Sequence, residues 1–139
     1  MRIGPVVARL RDRCPTLRQV LAATSGAIPS SYPAAYVWLA SRTAAPNELV
    51  TGVTSQRLEL RLAVEITVRH AAEAAAGGPA ADLLADVLEE VEAALAGFQA
   101  PGDEQHKPLE LVEGRPVALD AGQLTWRETW RTWRLLRSA

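Results

Sequence analysis

The sequence holds little of what usually carries reaction chemistry. It has one cysteine, Cys14, and two histidines, His70 and His106. A single thiol excludes a disulfide within the chain and any cysteine-based metal site. Cys14 falls on the apolar face of an expected helix, where a free cysteine behaves as a small hydrophobe. The histidines lie in separate loop-like regions with no neighbours at ligand spacing, so both read as solvated loop residues. No nucleophile elbow, Walker loop or dinucleotide-binding glycine pattern occurs. Asp103 and Glu104 are adjacent acids, but a solvated turn does not split two carboxyl pKa values as acid–base work requires.

Charge of one sign is also missing. Fifteen basic and sixteen acidic residues leave a formal net charge of −1. That gives no global pull toward nucleic acid or a membrane surface. No window approaches the ~20 apolar residues of a membrane span. Pro5, Arg9, Arg11 and Asp12 interrupt the N-terminal apolar residues, so no signal peptide is expected and the chain should fold in a cytoplasm. These absences point away from an enzyme: no catalytic residue, cofactor or metal is expected.

What is present is an ordinary globular composition, 48% hydrophobic and 22% charged over 139 residues. A chain of that size can bury a core without staples, and residues 1–139 are expected to form one domain. Ile3, Val6, Val7, Leu10, Cys14, Leu17 and Leu21 recur at helical steps, predicting a helix over 3–22. Pro15 conflicts with an unbroken helix. A helix ending near Arg13, followed by a turn and a second helical piece, fits equally well. The run from Ala34 to Ala40 predicts a strand, and residues 41–52, with Pro46, Asn47 and Gly52, predict a long loop.

The clearest signal follows. From Gln56 to His70 the even positions are Leu58, Leu60, Leu62, Val64, Ile66 and Val68, and the odd ones include Arg57, Glu59, Arg61, Glu65 and Arg69. A period of two over that length predicts a long strand with one buried face. Pro79 to Gly97 predicts an amphipathic helix, with Leu83, Leu84, Val87, Leu88, Val91 and Leu95 opposite Asp82, Asp86, Glu89, Glu90 and Glu92. Residues 109–122 predict a strand with a turn or bulge near Gly114, and residues 124–137 a final strand rich in Trp and Thr. The fold class expected is therefore α+β: a mainly antiparallel or mixed sheet of about four strands, with two helices packed on one face.

Trp38, Trp126, Trp130 and Trp133 allow three roles. They could stack bases between Arg127, Arg131 and Arg134, fill a core, or line a subunit interface. By strand parity Trp126 and Trp130 share a face and Trp133 takes the other.

The order of segments resembles the tail terminator proteins of long-tailed phages and prophages. The resemblance is carried by "IGPVVARLRDRCPTLRQV", "AAYVWLA", "PNELVTGVTSQRLELRLAVEITVR", "ADLLADVLEEVEAALAGFQ", "PLELVEGRPVALDAGQLTWRETW" and the final "RLLR". Its most particular pieces are the "PNEL…G…QR" pattern and the helix ending "LAGFQ". The resemblance implies a non-enzymatic α+β subunit of a hexameric ring at the head-proximal end of the virion tail, assembled in the host bacterial cytoplasm. Its partners would be copies of itself, the tail tube protein and a head-completion or connector protein. No membrane and no sequence-specific nucleic acid are implied. A ring needs two unlike, matching patches on each subunit. Arg57, Glu59, Arg61, Glu65 and Arg69 are the expected subunit or lumen contacts, because alternating signs fix register. Arg42, Asn47 and Glu48, in the long loop, are the expected contacts to tube or connector. Another neck component, a connector or tail-completion protein, would share these features. A small nucleic-acid-binding module built on the Trp/Arg strand is the reading of a different class.

Overall fold

The computed structural model describes residues 1–23, 28–50, 52–69, 78–120 and 122–138. The elements are α1 (Gly4–Arg13), β1 (Gln19–Ala22), β2 (Ala34–Ala44), β3 (Ser55–Arg69), α2 (Gly78–Leu95), β4 (Glu110–Asp120) and β5 (Gln123–Arg137). The five strands form one sheet in the order β1-β2-β3-β5-β4. β1 runs parallel to β2, and every other pairing is antiparallel. The fold is the expected α+β mixed sheet with two helices on one face, and it has one strand more than expected.

The additional strand is β1. The sequence led to a helix, whole or divided, as far as Leu21. Instead α1 ends at Arg13, with the Cys14 N–H still bonded to the Leu10 carbonyl at 3.0 Å. Pro15 cannot supply the next helical N–H. Residues 19–22 then pair along β2, from Gln19 beside Ala34 to Ala22 beside Val37. β2 also runs further than expected, to Ala44. A register shift between Leu39 and Ser41 lets the strand continue alongside β3. In β4 the irregularities fall between Leu111 and Glu113 and between Pro116 and Ala118, on either side of Gly114. Gly114 itself stays in the ladder opposite Glu128, and a Cβ there would lie 2.8 Å from Trp126 Nε1. A glycine is needed for the indole to cross it.

The alternation of β3 becomes two physical faces. Leu58, Leu60, Leu62, Val64, Ile66 and Val68 are all buried. Leu62, Val64, Ile66 and Val68 pack with Val6, Val7 and Leu10 of α1 and with Leu84, Val87, Val91 and Leu95 of α2. Cys14, which follows the last residue of α1, is buried in this same cluster, as its apolar spacing predicts. Trp130, opposite Leu62, is fully buried, and Trp126, opposite Ile66, packs at the margin. Trp133 pairs with Glu59 on the other face, so the parity reading of the tryptophans holds. α2 stops as its sequence suggests. Gly97 takes φ 77°, and Phe98 N–H bonds back to Leu95 O at 3.0 Å. Gln99 then ties the following turn by donating to the carbonyls of Glu104 and His106.

Candidate interaction surfaces

Among the described residues no helix covers the second face of the sheet. On it β3 places Arg57, Glu59, Arg61, Ala63, Glu65, Thr67 and Arg69 beside Trp133, Arg131, Thr129, Arg127 and Thr125 of β5. The expected contact residues of β3 are therefore brought together, and most meet counter-charges of their own chain. Glu65 accepts two bonds from Arg127, at 2.7 and 3.0 Å. Glu59 pairs with Arg61 at 3.4 Å and lies 3.8 Å from Arg131, which also reaches Glu110 at 2.5 Å. Arg57 lies over the Trp133 ring at 4.3 Å and Arg69 over Tyr32 at 4.2 Å. Arg127 also covers Trp38 at 5.2 Å. Planar guanidinium groups suit such stacking.

This arrangement bears on the tryptophans. Trp130 is inaccessible, and Trp38 and Trp133 each have a cation of their own chain over the ring. The strand does not present a row of open aromatic platforms of the kind single-strand binding uses. It presents a flat, half-exposed, internally neutralised surface.

The loop between β2 and β3 is a second surface. Asn47 organises it. Its Oδ1 accepts from the N–H groups of Leu49 and Ser55 at 3.3 and 3.0 Å, and its Nδ2 donates to the carbonyl of Val53 at 3.3 Å. Gln56 donates to Ala45 O at 3.1 Å, and Gly52 turns the chain at φ 75°. The "PNEL…G…QR" pattern is thus largely the wiring of this loop. Asn47 spends its amide internally, while Leu49, Val50 and Val53 stand exposed, Val50 almost completely at 99%. Glu48 and Arg57 line one groove of about 360 Å³ with Pro46, Leu49 and Leu135, joining the loop to the uncovered sheet face. Arg42 departs from expectation. It belongs to β2 rather than the loop, and its register partner Leu60 puts it on the parity of the helix-covered face.

Two further sites correct the sequence reading. His106 is not a solvated loop residue but is buried at 4% exposure. Its Nε2 lies 3.3 Å from the amino terminus and its Nδ1 3.8 Å from Asp103, and burial lowers its pKa. Residue 70, the other histidine, lies outside the described residues. Asp103 also accepts from the Arg2 N–H, and Glu104 accepts from the Gly102 N–H, so this acid pair shapes a turn.

Glu128 was missed. It sits at 2% exposure between Trp126 and Trp130 on the helix-covered face. Burial, then the charge of Glu92 and a hydrogen bond with it, raise its pKa to about 8. At neutral pH it is a carboxylic acid held against Glu92 of α2. Its even position between two core-parity tryptophans was the available signal. Among the described residues no group of three or more histidines, cysteines or carboxylates is placed to hold a metal.

A family model described as phage tail terminator protein matches residues 1–138. A chain in the solved virion of a native gene transfer agent particle shares the fold, with a TM-score of 0.61 and 14% identity, over 96% of this chain and 93% of that one. No curated protein matches in sequence.

Proposed function

The chain belongs to the phage tail terminator family, and from that membership we infer that it forms a ring capping the tail tube. It is a structural protein of the phage tail. The proposed ring ends tube polymerisation and offers a docking surface to the head-completion complex at the head-proximal end of the virion. The work is one of binding, not of turnover, and requires no cofactor. The observation that carries this reading is the family match over essentially the whole chain.

The geometry supplies surfaces suited to it. In this proposal the uncovered sheet face, with Arg57, Glu59, Arg61, Glu65 and Arg69, meets a neighbouring subunit or lines the lumen. Its internal ion pairs fix the side chains before contact, which lowers the ordering cost of association. The loop carrying Asn47 and Glu48 reaches the tube or the connector, with Leu49, Val50 and Val53 as its apolar contacts. Exposed apolar residues clustered on one polar-rimmed loop mark a protein-binding surface.

The test is assembly. The purified chain, mixed with its tail tube protein, should form rings visible by electron microscopy at one end of tubes of defined length. Omitting the chain should give tubes that keep growing. Rings that bind a portal or adaptor and ignore the tube would instead place the protein elsewhere in the neck. Tube growth indifferent to the chain would remove the capping role.

A further inference from the structure

The helical layer carries its charge unevenly. α2 holds Asp82, Asp86, Glu89, Glu90 and Glu92 and no lysine or arginine. Asp82 and Asp86, and Asp86 and Glu90, are four apart; Asp86 and Glu89, and Glu89 and Glu92, are three apart. Like charges at these spacings sit side by side and weaken the helix that bears them. Glu89, Glu90 and Glu92 also lie in the C-terminal half, and no basic residue offsets them in the last turn. The helix dipole disfavours negative charge toward that end. Two of the five have uses within the chain. Glu90 accepts from the Thr16 N–H and hydroxyl, at 2.9 and 2.5 Å, and Glu92 faces Glu128. Asp82, Asp86 and Glu89 are exposed, and among the described residues they enter no ion pair. Asp86, Glu89 and Glu90 line an open groove of about 480 Å³ beside Arg13 and Thr16. A charge pattern that opposes its own helix, with three acids in the groove lining against Arg13, suits a cationic partner.

The complementary surface is on the same molecule. Of the arginines in residues 2–18, Arg9 donates to Ala94 O and Arg13 lines the acidic groove itself, while Arg11 and Arg18 lie along β1. Arg11 and Arg18 flank a groove of about 290 Å³ along β1, the open edge of the sheet, with Leu17 and Leu21 between them. Arg11 is fixed there, its Nε and Nη2 donating to Val20 O at 3.2 and 2.7 Å. Arg18 is exposed and, among the described residues, its side chain enters no ion pair.

We propose that the acidic groove of α2 receives the Arg11/Arg18 edge of a second copy of this chain in a head-to-tail contact. Two unlike patches of matching sign on one subunit are what heterologous assembly requires. Three acids and one arginine line the α2 groove and two arginines flank the β1 groove, so the formal charges of the two patches match. An acidic groove repels nucleic acid, which removes that class of partner. The inference rests on the ring reading above and specifies which faces mate.

The test uses charge reversal on each side, followed by mixing. Asp86→Arg/Glu89→Arg makes both patches basic, and Arg11→Glu/Arg18→Glu makes both acidic. Arg18→Glu alone, which keeps the Arg11 bonds to Val20, guards against a folding defect. Each variant, folded by circular dichroism, should self-associate roughly a hundredfold or more weakly than wild type, since like charges then oppose one another. An equimolar mixture of the two reversed chains should restore the ring, because every contact again joins opposite signs in strict alternation. Only rings with an even number of subunits can close that way. Analytical ultracentrifugation with tail tube protein present reads all arms. Reversed variants that form rings like wild type, or a mixture that stays dissociated, overturn the proposed mating while leaving the ring reading intact. Rings that form normally from Asp86→Arg/Glu89→Arg but no longer hold the tube assign the groove to the tube and also overturn it. A wild-type chain that forms no ring removes the ring reading and this contact together.

Discussion

The two faces of β3 share one backbone and differ in how they are held. The helix-covered side is a row of buried aliphatic side chains, of which Leu62, Val64, Ile66 and Val68 pack with α1 and α2. Its stability comes from transfer of apolar area, which is large and is not screened by salt. The other side is held by ion pairs such as Glu65 with Arg127, at side-chain exposures of 21% and 32%. Pairs that wet contribute ~0–1 kcal/mol each and weaken with ionic strength. One face therefore makes the fold, and the charged positions of the other can be rewritten with little effect on it. That division is what a subunit needs if it must keep its shape while its contacts specialise.

Breaking the covered face should have the largest effect. Trp130→Ala removes the largest fully buried side chain, opposite Leu62. It should destabilise by ~3–5 kcal/mol in urea unfolding. A loss under ~1 kcal/mol would mean that the core is not organised around this residue.

Glu128 is the exception that sharpens the contrast, a carboxyl placed on the dry side. Its folded pKa of about 8 lies above the ordinary value of 4.5. A group raised in this way contributes its full stability below pH 4.5, and that contribution is lost as pH rises through about 8. Glu128→Gln removes the titration. The variant should be more stable than wild type at pH 8 by on the order of 3 kcal/mol, with the advantage shrinking toward pH 4.5. Unfolding curves that stay parallel from pH 4 to 9 would contradict the buried, protonated acid.

The smallest effect should come from the uncovered face. Glu65→Ala with Arg127→Ala, in a double-mutant cycle, should show a coupling of no more than ~1 kcal/mol. If this face meets a partner, assembly should suffer far more than folding. Equal losses in both would erase the distinction between the faces.

The sequence made β3, α2 and the parity of the tryptophans legible because each depends on local periodicity. β1 was not legible. Leu17 and Leu21 continue the spacing of α1, and the strand identity of residues 19–22 comes from parallel pairing with β2. The end of β2 was hidden for a similar reason. Ser41, Arg42, Thr43 and Ala44 have little strand character alone and are carried by β3 across an irregular register. The burial of His106 depends on the amino terminus reaching it from the far end of the chain. The charged residues of β3 were legible as a set, but their mates on β5 and β4 were not, since pairing register is a tertiary fact. Asn47 stood out in the sequence for its place in a turn-rich segment, and only its hydrogen bonds show that it works inward.

That inward work has an evolutionary consequence. The loop between β2 and β3 is closed by Asn47, Gln56 and Gly52, all belonging to the loop or its rim. Its tip residues Leu49, Val50 and Val53 contribute little to the core. The frame and the tip are thus separable units of variation. Mutation can exchange the tip while the frame keeps its shape.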